Sequence, residues 1–506
     1  MGDSRDSAEV EEREGIGSRL RRVGWRSLVA GALIVLAFPP FSLAPLAIVG
    51  FAVFLPALRG ATLWQGARRG YLLGLVIEGG GFYWIAHTIR AFGGFPLWLG
   101  VVLFLLWLIL SALFWGFWGA LCVRLRAERW GAVAAAAVLF VLESCFPRVF
   151  PWHVGSAYAD WPWLAQPARW IGAEGLSVLT VVAAGLAVAS VRGGRRPRVA
   201  LGVLVLLWLG VSGLRLGGAG EGPKLRVGFV QPNVSFEERH SRQGHVHRRY
   251  TSELVLRSRR LEECDLLVWS EGIVPWSIRP EVLEPLALDS FDAPLIAGAG
   301  SGRRNRLTLI PPRGEGELLH YDKQFLLVFG EFVPLRDWVE AIGIELPFGD
   351  LEAGEEWKVW DVGGVPTGVS ICFEGILGET GLELAERGAR LHVNATEDGW
   401  FGRTSEPSQH FGLAAIRAVE SGVPLVRVTN TGISGWVDRF GRIRASTAMG
   451  EVASGVYEVE LPPGPVGASH FLQWTRALRW VGLAIVLLAA IVVRPGREEA
   501  EAPLTG

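Results

Sequence analysis

The chain has 506 residues, with 49 Lys and Arg against 50 Asp and Glu and a net charge of −1, so no global charge points to nucleic acid. Half of its residues are hydrophobic and it holds 22 Trp and 65 Gly, which suits a membrane protein carrying a soluble portion better than a soluble enzyme. Its four cysteines, Cys122, Cys145, Cys264 and Cys372, form no CxxC pair, so neither a disulfide framework nor a zinc site is indicated.

Residues 1–18 are polar and mostly acidic and lack the apolar core of a secretory signal, which reads as a disordered cytoplasmic tail. Apolar segments then fill residues 25–216, punctuated by Arg19/Arg21/Arg22/Arg26, Arg59/Arg68/Arg69, Arg124/Arg126/Arg129 and Arg192/Arg195/Arg196/Arg198. Positive loops stay on the cytoplasmic side, so an even number of spans separates successive clusters. Trp25–Leu58, broken at Pro39-Pro40, then holds two short helices. Residues 70–123 divide at the His87–Pro96 loop, and residues 130–191 divide at the Trp- and Pro-rich loop 147–174. A last span, Ala200–Leu216, carries the chain out. The expected organisation is a membrane domain over 19–216 with seven spans, an outer domain over 217–475, an eighth transmembrane helix over 476–494 and a cytoplasmic tail over 495–506. The indole-rich 147–174 loop belongs at the outer headgroup level, as an anchor or a grip on lipid.

From Lys224 the pattern changes. Leu225–Val230, Asp265–Trp269, Pro294–Ala297, Arg306–Ile310, Thr367–Cys372, Leu391–Val393 and Val423–Val428 read as strands, and His247–Glu263, Glu379–Arg387 and Ser408–Ser421 as helices. This alternation predicts a layered α/β domain, in which sites form beyond the carboxyl ends of strands. Three segments end that way. Leu266–Ser270 runs into Glu271, His320–Asp322 into Lys323, and Val369–Ile371 into Cys372. The other cysteines read as inert: Cys122 and Cys145 lie in apolar segments, and Cys264 sits among Glu262, Glu263 and Asp265, which discourage a thiolate.

The strand-Glu, Lys, strand-Cys order resembles the nitrilase, or carbon–nitrogen hydrolase, superfamily. The run Tyr321-Asp322-Lys323-Gln324-Phe325-Leu326-Leu327-Val328-Phe329-Gly330-Glu331-Phe332-Val333-Pro334-Leu335 is similar to the YxKxxLVPFGEFVPL signature of bacterial apolipoprotein N-acyltransferases. Ile371-Cys372-Phe373-Glu374 resembles their ICYE or ICFE, and Asn394–Gly402 resembles their NxSNDxWFG. Arg417-Ala418-Val419-Glu420, Thr429–Gly432 and Ala37–Phe41 correspond as well, so the likeness covers nearly the whole chain. Val328 stands where that family usually has Pro, and Glu397 where it usually has Asn; the Ile310–Tyr321 loop is short.

Acyl transfer needs a nucleophile, a proton acceptor and positive charge where the oxyanion develops. Cys372 is the candidate nucleophile, its thiolate favoured by a nearby cation and base. Glu271 is the candidate acid–base. Lys323, with the backbone N–H of Phe373, is the candidate oxyanion stabiliser. The resemblance makes Glu331 a second essential carboxylate, against the plainer reading of a buried ion pair, while Glu374 is placed to brace the cysteine loop. Phe236, Trp276 and Trp400 are candidates for an acyl-chain or lid surface, with core packing equally open. His240, His245 and His247 read as a solvated, Arg-rich helix face. No metal and no dissociable cofactor is called for.

The resemblance implies a nitrilase-like αββα sandwich on the outer face of the bacterial cytoplasmic membrane. It would use a phospholipid acyl donor and a diacylglyceryl apolipoprotein acceptor, with membrane lipid as its surroundings. A membrane-tethered amidase with water as acceptor is the alternative, although eight spans exceed what a tether needs. A non-catalytic lipoprotein-binding scaffold fits less well with the retained Glu271, Lys323, Cys372 and Glu331.

Overall fold

A computed structural model describes residues 24–93, 95–125, 132–217, 222–239, 241, 243–261, 263–341, 349–464, 466–467 and 480–484. Seven apolar helical segments occupy residues 24–217. Leu97–Arg124, Ala168–Val191 and Arg195–Gly217 are each long and apolar enough to cross a membrane, and Leu63–Gly81 with Ile85–Ala91 adds a fourth as a pair bent by 48°. Gly24–Leu36, Pro45–Leu58 and Ala132–Cys145 are shorter. Thr62 starts the 63–81 helix through a capping box with Gln65, each side chain accepting the other residue's backbone N–H. That helix lies against Leu113–Arg124 with almost no space between backbones. A Cβ on Gly70 would sit 2.1 Å from the Trp115 carbonyl oxygen, and one on Gly119 would sit 2.3 Å from that of Gly66. Small residues at this spacing let two apolar helices approach until van der Waals packing holds them.

Two expectations shift. His87–Arg90, expected in a loop, lies in the short helix Ile85–Gly93 after the bend. The 147–174 loop ends earlier, because a helix begins at Ala168 and kinks at Gly172, whose φ of 64° suits glycine. The expected eighth span and both tails lie almost wholly outside the described residues; of them only 480–484 is described, as helix.

The rest of the chain builds two sheets. Strands β1 (Lys224–Gln231), β2 (Leu266–Trp269), β3 (Leu295–Ser301), β4 (Arg304–Ile310) and β5 (Leu319–Asp322) form one with β12 (Ala453–Glu460), in the order 12-1-2-3-4-5. Strands β6 (Val359–Val362), β7 (Val365–Ile371), β8 (Leu391–Thr396), β9 (Leu425–Thr429), β10 (Gly435–Val437) and β11 (Ile443–Ser446) form the other, in the order 11-10-9-8-7-6. In each sheet three neighbouring strands run parallel, β1-β2-β3 and β7-β8-β9, and the remaining pairs are antiparallel.

Strand alternation sorts the side chains into layers. Val227, Phe229, Leu266 and Val268 point into the core shared with Val369, Ile371, Val393 and Val426 of the second sheet. Val230, Leu267 and Trp269 point outward against Leu254 and Val255 of the helix Gly244–Ser258. On the other outer face, Ala414, Ala415 and Ala418 of the helix Glu406–Ser421 cover Leu425 and Val437. The result is an αββα sandwich.

The sandwich rests on the helix bundle. Ile416, Val419 and Phe401 join the bundle's own apolar core. Polar groups stitch the seam: Trp84 Nε1 donates to Gln409 Oε1 at 3.1 Å, Gln166 Nε2 to the Phe440 carbonyl at 2.8 Å, and the Ala173 N–H to Glu420 Oε1 at 2.8 Å.

Candidate active site

β5 is antiparallel to β4 and β4 to β3, so β5 runs the same way as β2. Glu271 and Lys323 therefore leave the same edge of the first sheet, each just beyond a strand's carboxyl end. The start of antiparallel β4 reaches that edge too and brings Asn305. A Cβ on Gly298 of β3 would lie 2.6 Å from the Glu271 Cα, so a bare backbone there is what lets the Glu271 loop close.

Lys323, 2% exposed, places Nζ 2.8 Å from Glu331 Oε2 and 3.9 Å from Glu271 Oε1. Asn305 bridges the two carboxylates, its Nδ2 donating to Glu271 Oε1 at 2.7 Å and to Glu331 Oε1 at 3.0 Å. The Leu327 N–H adds a bond to Glu331 Oε2 at 2.8 Å. Glu271 Oε2 is buried without a hydrogen-bond partner, a free acceptor in the middle of the cluster. Burial raises the Glu271 carboxyl to about 7, the Glu331 charge adding to the rise and the Lys323 ammonium opposing it. Burial alone would discharge Lys323, but Glu331 and Glu271 outweigh it and hold the ammonium charged.

Cys372 follows β7 directly and opens a short 3₁₀ turn, Cys372–Ile376. Its φ of 50° is in the left-handed region, where a side chain other than glycine's is strained. The turn is fastened around it. Buried Glu374 accepts from the Tyr321 hydroxyl at 2.8 Å and from the N–H groups of Gln324 at 2.7 Å, Phe325 at 3.1 Å and Ile371 at 2.8 Å. One carboxylate thus ties the cysteine turn to the segment carrying Lys323. Asn394 of β8 donates to the Cys372 carbonyl at 3.2 Å.

The Cys372 thiol sits well above its usual range, because burial and the Glu271 charge outweigh the pull of Lys323. Of the two neighbours expected to favour a thiolate, the Lys323 cation does and the Glu271 charge does not.

The remaining candidates divide. Phe373 is half-buried and meets Phe150 of the bundle edge-on, ring centroids 6.4 Å apart. Trp400 packs on the bundle core, beside Phe401, which meets Trp84 at 5.2 Å. Trp276 packs edge-on against His247 on the outer face of the first sheet. Phe236 lies on the helix Phe236–Arg239, and its side chain and His240 fall outside the described residues. Asp398, Glu406 and His410 bring ligand atoms within 4.8 Å of one another, yet the Arg427 guanidinium lies 2.9 Å from both Asp398 oxygens. A cation of the protein's own already holds the Asp398 carboxylate of that set.

Asn305 and Arg239 escaped the sequence reading. Asn305 opens β4 within a polar run and looks like turn material. Arg239 was grouped with a solvated helix face, but its side chain is only 13% exposed and pairs with Glu397.

The family model for the apolipoprotein N-acyltransferase N-terminal domain matches residues 30–186, and that for carbon–nitrogen hydrolase matches residues 294–469. An apolipoprotein N-acyltransferase of Azotobacter vinelandii is 32% identical over 95% of this chain and 98% of its own length. Those of Geobacter metallireducens and Pseudomonas putida are 29% and 30% identical over 94% of this chain and 96% and 97% of theirs. Among solved structures, an amidase from Nesterenkonia sp. aligns with 53% of this chain and 99% of its own at 20% identity and a TM-score of 0.37. With both halves matched and near-complete coverage at that identity, the chain belongs to the apolipoprotein N-acyltransferase family.

Proposed function

We propose that this chain transfers a fatty acyl group from a membrane phospholipid to the α-amino group of the N-terminal diacylglyceryl-cysteine of apolipoproteins, through a thioester on Cys372. The observation that carries the reading is the meeting, where the edges of the two sheets face each other, of a strained, buried Cys372, the unpartnered Glu271 Oε2 and a Lys323 whose ammonium its carboxylate neighbours favour.

In the first half-reaction Cys372 Sγ attacks the ester carbonyl carbon while its proton passes to Glu271. The carbonyl oxygen gains negative charge beside Lys323 and the Phe373 N–H, which stabilise it. Collapse breaks the C–O bond, Glu271 returns the proton to the glycerol oxygen, and a lysophospholipid leaves. In the second, the lipoprotein amine attacks the thioester, gives a proton to Glu271 and forms the amide; the C–S bond breaks and the thiol recovers the proton. Glu331 keeps Lys323 aimed, and Asn305 keeps the two carboxylates in register.

The apolar helices fit a multi-span protein of the cytoplasmic membrane, with 19–216 as the membrane domain, 217–475 on the outer face and both termini inside. Both substrates are membrane-anchored, so holding the site at the helix ends brings them together at high local concentration. The test is intact mass analysis of a synthetic diacyl lipopeptide incubated with phospholipid vesicles and the full-length protein. One added acyl chain on the peptide amine, matched by lysophospholipid, is expected. Lysophospholipid and free fatty acid released at the same rate without the peptide would show a hydrolase instead.

A further inference from the structure

Glu397, immediately beyond β8, is 3% exposed and collects four donors. Oε2 takes Arg239 Nη1 and, at 2.8 Å, Asn430 Nδ2. Oε1 takes the Gly399 N–H at 2.6 Å and the Thr431 hydroxyl at 3.0 Å. The second arm of Arg239 donates to the Gly272 carbonyl at 3.0 Å and reaches that of Glu271 at 3.4 Å. Asn430 exchanges two 2.8 Å bonds with the backbone of Val234. One carboxylate therefore gathers the loops that follow β1 and β2 in the first sheet and β8 and β9 in the second.

The chemistry of position 397 suits this task only as a carboxylate. Four donors converge on it, whereas an amide offers one acceptor oxygen and would turn its own N–H₂ toward other donors. Burial raises the stakes, because removing either member strands the other's charge away from water.

We propose that Glu397 and Arg239 form a positioning clamp that holds the Glu271 loop at the shared edge of the two sheets and fixes a positive charge beside the base. The clamp rests on the reading of Glu271 as the acid–base. Neither residue touches the acyl group; both act through Glu271. The groups facing Glu271 are Lys323, Glu331, Arg239 and the Cys372 thiol, and Arg239 among them favours the ionised carboxylate. Its loss leaves a looser base that takes up its proton at higher pH.

The experiment uses the full-length protein in detergent and two readouts. One is steady-state transfer to the diacyl lipopeptide. The other is the pH dependence of Cys372 alkylation by iodoacetamide, which reports proton removal from the thiol and needs no lipid substrate. Arg239→Gln should lower kcat on the order of tenfold to a hundredfold, as a misplaced base does, with KM nearly unchanged, and should move the alkylation midpoint to higher pH. Arg239→Lys, which keeps the charge, should restore most of the midpoint. Glu397→Gln should slow transfer, and the double variant should be no worse than the worse single one, since the two act as a unit. A wild-type midpoint and kcat in Arg239→Gln would overturn the clamp. So would a loss of rate with an unmoved midpoint that Arg239→Lys leaves unrepaired. A midpoint that responds as expected in a protein without lipopeptide acylation would count against the acyltransferase reading and leave the clamp standing.

Discussion

The side chains proposed as catalytic carry opposite burdens, and substitution separates them. Glu271 is held uncomfortably, its carboxyl raised by burial to about 7. A carboxyl whose folded value lies above its unfolded one binds more protons when folded, so its contribution to stability falls as pH rises from the usual carboxylate range through about 7. Glu271→Gln should therefore raise the midpoint of thermal unfolding at pH 8 by a few degrees while cutting transfer on the order of a hundredfold or more. The wild-type rate should rise with pH through about 7, where the base ionises; a flat profile from pH 5 to 9 would remove Glu271 from that role. Lys323→Ala should cost on the order of a hundredfold in kcat by removing an oxyanion donor. Glu331→Gln should be severely impaired although its shape is kept, because the amide loses the charge facing Lys323 at 2.8 Å. Near-normal turnover of either variant at normal expression would refute its role. The candidates Glu271, Lys323 and Cys372 stood out in the sequence because each lies just beyond the carboxyl end of a strand-like run. Asn305 and Arg239 did not: their importance comes from register across β4 and β5 and from contact between distant loops, which local pattern does not record.

Secondary structure was most legible where an element is buried over several residues. β2, β8 and β9 are buried along their length and β1 over most of its own, and they emerge within three residues of the expected bounds. β11 escaped because it is an edge strand facing solvent, and β12 because it is an edge strand buried only near its end, at Tyr457 and Val459. In the bundle, glycine spacing carries the packing. Gly70→Leu or Gly119→Leu should abolish folded protein, because each Cβ would meet the neighbouring backbone at 2.1 and 2.3 Å. Gly202→Ala, with nothing within 4 Å, should be neutral or slightly stabilising. Size-exclusion profiles and yield in detergent measure both, and a well-folded Gly70→Leu would show that the two helices can separate.

For the whole molecule the arginine clusters are the basis of the proposed orientation. Arg192 and Lys224 are exposed on either side of the Arg195–Gly217 helix. With Cys264 replaced by Ala, Lys224→Cys should react with an impermeant maleimide in intact spheroplasts and Arg192→Cys should react only after lysis; the opposite pattern would invert the topology. In the proposed reaction a buried thiol serves two bulky lipids in turn. Storing the acyl group on the protein lets the first lipid leave before the second docks, and this stored intermediate is the centre of the account. Its most direct test is the intact mass of the full-length protein after incubation with phospholipid alone. Wild type and Cys264→Ala should gain one fatty acyl group that neutral hydroxylamine removes, and Cys372→Ala should gain none. An adduct that persists in Cys372→Ala, or full transfer by that variant, would contradict the account.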